Sequence, residues 1–229
     1  WEANVWYMER FNLQSDRMNP ANPVVRIPFM QVHDKENRRY FQLYLQYMIG
    51  VTSLSISNIR FQYYNVSEFL EYCDTKELSV LLLTAKDMDD FFKYVDGNIQ
   101  PETYNNKVAD IYKFFRFMVV KGFIKNVPYR MEYYLKNVVP THHDRALPEE
   151  VISKMLTNLH QFPENLRLMY LHLWCLGLRN NEVCTIKGDA YYERDGDTWI
   201  RLYQNKMKAE KTVPIPATLY ELMKAYIQK

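Results

Sequence analysis

The apolar positions follow a helical rhythm from Asp34 onward. Asp34 is a capping residue ahead of a segment carrying Arg38, Tyr40, Leu43, Tyr44, Tyr47 and Met48, with Gly50 as its expected stop. Ser55 opens a second helix, in which Ile59, Tyr63, Val66, Phe69 and Leu70 recur at spacings of three and four. Thr84 and Asp87 form a capping-box variant before Met88, Phe91, Phe92 and Val95, with Gly97 at the end. Pro101 suits the first turn of a fourth helix, which carries Tyr104, Val108, Ile111, Tyr112, Phe115, Met118 and Val119 and ends at Gly122. Four helices with short connections can bury a core of their own.

The flanks read differently. Residues 1–33, punctuated by Pro20, Pro23 and Pro28, read as an arm or linker with an extended stretch near Val24 to Phe29. The stretch Val127 to Arg145, with Pro128 and Pro140, reads as connecting chain; the boundaries adopted are a helical domain over 34–135, a linker over 136–146 and a second unit over 147–229. Pro148, Glu149 and Glu150 suit a helix start before Val151, Ile152, Met155, Leu156 and Leu159. A very apolar helix follows over 165–176, with Cys175 expected in the core. Beyond Asp189 the period becomes two: Trp199, Arg201 and Tyr203 alternate with Ile200 and Leu202 after a turn at 194–197. A lysine-rich turn over 205–211, a strand over 212–215 and a helix after Pro216 complete the pattern, which predicts a small antiparallel sheet among helices.

Composition sharpens this. Only 6 glycines in 229 residues, with 48% hydrophobic residues, favour a mainly helical chain with real cores. Cys73, Cys175 and Cys184 are too scattered for zinc or a disulfide framework and fit a reducing, cytoplasmic setting, and no apolar run has membrane-spanning length. The net charge of +2 is uninformative, but its distribution is not. Lys113, Arg116, Lys121, Lys125, Arg130, Lys136 and Arg145 stand against Glu132 and Asp144 alone, a local charge of +5 amid aromatic residues. Such a stripe suits a phosphate backbone, although an ordinary solvated helix face has the same composition.

Two further features bear on chemistry. Arg179 follows the apolar helix and a glycine in Leu176-Gly177-Leu178-Arg179-Asn180-Asn181-Glu182, where a guanidinium fork can present donors to a phosphate. Lys206 and Lys208 lie in the hairpin turn, where a lysine can protonate a leaving oxygen. Taken alone, each reads more simply as an exposed or ion-paired surface residue.

Their order resembles the first half of the catalytic domain of tyrosine recombinases, the phage-integrase family. The helix, the Gly-Leu-Arg-x-x-Glu stretch, Asp189, the lysine hairpin and Val213-Pro214-Ile215 occur in the family's sequence, and His143 to Pro148 is similar to the start of its catalytic domain. The upstream helices resemble the family's SAM-like core-binding domain, with 103–122 as its last long helix; residues 1–33 are most similar to extra segments of transposon-encoded members. The resemblance implies a helical DNA-binding domain followed by a partial α+β catalytic domain. It implies recombination through a 3′-phosphotyrosyl link on duplex DNA, by a homo-oligomer and without metal or cofactor. Arg179 would hold the non-bridging phosphate oxygens and Lys206, with Lys208 as alternate, would be the general acid. Glu182 and Asp189 would support them, and Lys113, Arg116, Lys121, Lys125, Arg130 and Lys136 would contact DNA.

The pattern departs from the family beyond Lys206, where neither a His-x-x-Arg box nor a nucleophilic tyrosine is found. His142 to Arg145 fits that box formally but precedes Arg179, and Tyr220 and Tyr226 come too early. The chain therefore reads as a truncated or remnant recombinase, itself inactive in cleavage. The alternatives are a non-catalytic DNA-binding protein on the same scaffold and a helical interaction module.

Overall fold

A computed structural model describes residues 1–97, 99–140 and 146–229. The chain divides into two compact units, Trp1–Asn19 with Pro23–Thr141, and His142–Lys229 with Pro20–Asn22. The Thr141 to Arg145 stretch, with the formal His-x-x-Arg match and the basic Arg145, lies outside the described residues.

The first unit is helical. A short antiparallel pair, β1 (Val5–Tyr7) and β2 (Arg26–Pro28), precedes α1 (Lys35–Val51), α2 (Ile56–Thr75), α3 (Ala85–Val95) and α4 (Pro101–Val120). The caps are local chemistry. Asp34 accepts from the Asn37 N–H at 2.7 Å, Ser55 from Asn58 at 3.3 Å, and Thr84 and Asp87 close a reciprocal box at 3.4 and 2.8 Å. Gly122, at φ +74°, ends α4: its N–H reaches Val119 O and the Phe123 N–H reaches Met118 O, both at 2.9 Å. Gly50 does not stop α1, which runs on to Val51.

The core of this unit is built from rings. Phe41 and Tyr63 stack at 5.4 Å, Phe29 meets both edge-on, and Phe69 meets Phe91 and Phe115 edge-on. Buried hydroxyls are satisfied: Tyr44 donates to Gln62 Oε1 at 3.0 Å and Tyr129 to Val108 O at 2.7 Å.

The segment expected as an arm is packed rather than free. Trp6, Met8, Val24, Ile27, Phe29 and Val32 are buried in the same core. Arg17 is buried as well; its guanidinium donates to Ile49 O at 2.7 Å, Leu54 O at 2.9 Å and Met48 O at 3.2 Å, satisfying carbonyls around the end of α1. The chain beyond α4 is likewise anchored by buried Tyr129, with Val127, Met131 and Tyr134 against the core.

The second unit is mixed. It comprises α5 (Glu149–Asn158), α6 (Glu164–Leu176), the one-turn α7 (Asn180–Val183), an antiparallel sheet of β3 (Tyr191–Arg194), β4 (Asp197–Gln204) and β5 (Ala209–Pro214), and α8 (Ala217–Ile227). Asp195 and Gly196, at φ +55° and +84°, make the tight β3–β4 turn. In β4, Ile200 and Leu202 are buried while Arg201 and Tyr203 face out. β5 begins earlier than the pattern suggested, so the β4–β5 loop is only Asn205 to Lys208; charged Glu210 and Lys211 are tolerated because the strand is exposed.

Burial here is sparser than expected. In α6 only Leu168 and His172 are buried, α5 buries no residue, and Cys175 is exposed, not core. The apolar residues of α6 are spread around the helix, whereas the core it meets is a small cluster with Leu219 and Met223.

Candidate nucleic-acid interface and phosphate site

In the second unit, α6 ends at Gly177, φ +58°, whose N–H bonds to Leu173 O at 3.1 Å. This left-handed residue turns the chain so that Leu178 is buried while Arg179, the N-cap of α7, keeps about half of its side chain exposed (52%). One buried carboxylate fixes it. Glu182 Oε2 accepts from the Arg179 backbone N–H at 2.9 Å and Oε1 from Arg179 Nη1 at 2.8 Å. Gln204 Nε2 donates to the same Oε1 at 3.0 Å. Burial raises the Glu182 pKa, but these three donors outweigh it and hold the carboxyl below its ordinary value. The rest of the guanidinium fork remains available to an anion.

Gln204 is the last residue of β4. It pairs with Ala209 and its carbonyl accepts from the Met207 N–H at 3.1 Å, closing the loop that carries Lys206 and Lys208. Lys206 is exposed at the loop, and Lys208 takes a left-handed conformation at φ +52°. The structure therefore links Arg179 to the lysine loop through Glu182 and Gln204. Asp189 is exposed in the 3-10 turn Gly188–Ala190 before β3, which Ala190 anchors in the core. Sequence reasoning missed Gln204, and also the buried His172, which contacts Leu168 O through Nδ1 at 2.6 Å and the Tyr191 hydroxyl through Nε2 at 2.8 Å. Burial lowers the His172 pKa, so its ring is neutral at pH 7.

In the first unit, α1, α2 and α4 border an open cleft of about 590 Å³. Lys113, Arg116 and Lys121 from the predicted basic stripe line it, beside Tyr47, Gln62 and Tyr112. Lys121 lies 5.9 Å from the Tyr47 ring centre, and Lys113 pairs with Asp110 at 2.8 Å while remaining half exposed. Lys125 and Arg130 are exposed but do not line this cleft. Lys136 is bound elsewhere: its ammonium pairs with Asp96 and lies 4.3 Å from the Tyr104 ring centre.

No family model matches the chain. In sequence it is 25% identical to Transposase B from transposon Tn554 of Staphylococcus aureus, over 98% of this chain and 36% of that protein. It is 34% identical to Tyrosine recombinase XerA from Thermococcus onnurineus, over 39% of this chain and 31% of the relative. In structure it matches XerH site-specific recombinase bound to palindromic difH substrate, at TM-score 0.59 and 17% identity, over 86% of this chain and 63% of that one. A pre-cleavage complex of XerH with difH gives TM-score 0.57 at 17% identity, over 83% of this chain and 57% of that one.

The chain has the fold of a tyrosine recombinase, a helical unit followed by helices and a small sheet. Its sequence relatives include a transposon-encoded transposase, and it spans about a third (36%) of that relative's length.

Proposed function

We propose that this chain supplies the DNA-binding surface and the phosphate-activating half of the active site of a site-specific tyrosine recombinase of the transposase kind, acting on duplex DNA in the cytoplasm as a homo-oligomer. The observation that carries the reading is the shared carboxylate, which holds the Arg179 fork and the base of the lysine hairpin on one anchor. Arg179 binds the non-bridging oxygens of a DNA phosphate and stabilises charge that develops as a tyrosine attacks. Lys206, with Lys208 as alternate, donates a proton to the departing 5′ oxygen. Glu182 orients Arg179, Asp189 supports the same region, and Lys113, Arg116 and Lys121 neutralise backbone phosphates, with Lys125 and Arg130 extending the track.

The test is duplex binding by the 229-residue chain, followed as salt rises. Binding that weakens steeply with salt, and weakens further in Arg116→Ala and Lys121→Ala, supports the reading. Salt-independent binding, or none at low salt, turns it toward a protein-interaction module. A suicide duplex that traps breaking strands should yield no covalent adduct, because buried Tyr220 and the α8 residue Tyr226 precede the family's nucleophile position.

A further inference from the structure

We infer that Gln204 is a positioning residue that sets the lysine loop onto the anion held by Arg179. This rests on the phosphate-site reading above and deepens it. Gln204 acts on both sides of the hairpin. Its backbone carbonyl accepts from the Met207 N–H at 3.1 Å, which shapes the loop, and its side chain donates to Glu182 Oε1 at 3.0 Å. The same oxygen accepts from Arg179 Nη1 at 2.8 Å, so the loop's root and the guanidinium share one acceptor on one buried carboxylate. A four-residue loop with an exposed lysine otherwise samples many orientations, and its ammonium pays the entropy of being fixed each time an anion arrives. The amide removes part of that freedom beforehand. It does so without charge: a lysine at position 204 would compete with Arg179 for Glu182, and a carboxylate would repel it. In this arrangement Gln204 acts through Lys206.

The probe is inorganic sulfate, a phosphate mimic that stays a dianion across the working pH range. It is titrated into the 229-residue chain and followed by the NMR signals of the Arg179 Nε–H and the Lys206 ammonium. Sulfate should shift both. Gln204→Ala should weaken sulfate about fivefold, the equivalent of one net hydrogen bond, and should abolish the Lys206 response while leaving that of Arg179. The decisive measurement is the double-mutant cycle. If Gln204 works through Lys206, Gln204→Ala adds nothing in a Lys206→Ala background. Full additivity, or an unchanged Lys206 response in Gln204→Ala, overturns the proposal and leaves the phosphate site standing. Sulfate binding that is insensitive to both Arg179→Ala and Lys206→Ala overturns the phosphate site and this proposal with it. Gln204→Glu, of the same shape, covers the case in which the alanine variant unfolds. Its carboxylate faces Glu182, so sulfate should bind poorly at neutral pH and recover on acidification as one proton comes to lie between the two. A flat pH profile for this variant is the contrary result.

Discussion

At Glu182, burial and hydrogen bonding pull one carboxyl in opposite directions. Its lowered pKa means that it favours the folded state above its unfolded pKa, and that this contribution fades as pH falls through the folded value. Glu182→Ala should cost about 1–3 kcal/mol at pH 7, the range for leaving buried hydrogen-bond partners unmet. In urea unfolding the gap between this variant and the parent should narrow at acid pH; a gap that is constant with pH would mean that the carboxylate charge is not what matters. Arg17 sets a second expectation. Three carbonyls accept from its fork, so Arg17→Ala should lower unfolding stability by about 3 kcal/mol, and Arg17→Lys should restore little of it because an ammonium lacks the planar fork. Sequence alone showed Arg179 and Glu182, whose spacing forms a recognisable motif. It did not show Arg17 or Gln204, because their partners lie 37 and 22 residues away and no local pattern marks such pairs.

Among the elements, those with a local cause were the legible ones. The caps at Asp34, Ser55 and Thr84 and the proline start of α4 are interactions within a few residues, and the structure shows each of them. The apolar residues of 1–33 lack a period, so the sequence suggests an arm; their rings pack instead as single anchors, Trp6 on Phe29 at 4.7 Å and Phe29 on Phe41 at 5.5 Å. The apolar helix α6 misled in the other direction, since hydrophobic composition shows what a helix can bury and not what meets it. Two substitutions separate shape from chemistry at this scale. Thr84→Ala removes one half of a capping box and should cost about 1 kcal/mol in thermal or urea unfolding. Lys206→Ala, at an exposed loop, should change stability by less than about 0.5 kcal/mol, yet should weaken sulfate at the Arg179 site. An equal loss of stability in both variants would make the loop lysine structural.

On the proposed DNA-binding reading, the decisive quantity for the whole molecule is how many cations meet phosphate. The sequence offers seven in the stripe from Lys113 to Arg145, and composition cannot rank them. The structure does. Lys113, Arg116 and Lys121 share one cleft with Tyr47 and Gln62, whereas the Lys136 ammonium is already neutralised by Asp96 and rests on Tyr104. Each cation that neutralises a phosphate releases condensed counterions, steepening the dependence of log affinity on log salt by about 0.9 for duplex DNA. Arg116→Ala and Lys121→Ala should each flatten that slope by roughly this amount and weaken all duplex sequences alike, since phosphate contacts carry no base information. Lys113→Ala should do less, because Asp110 competes for its ammonium at 2.8 Å. Lys136→Ala should leave the slope unchanged: removing an ammonium already paired with a carboxylate releases no counterion from DNA. Fluorescence anisotropy with a labelled duplex, titrated from about 50 to about 200 mM salt, reads all four slopes. A Lys136→Ala slope as flat as that of Arg116→Ala would show that Asp96 yields its partner on binding, and would move the DNA track from the cleft between α1, α2 and α4 toward the segment beyond α4.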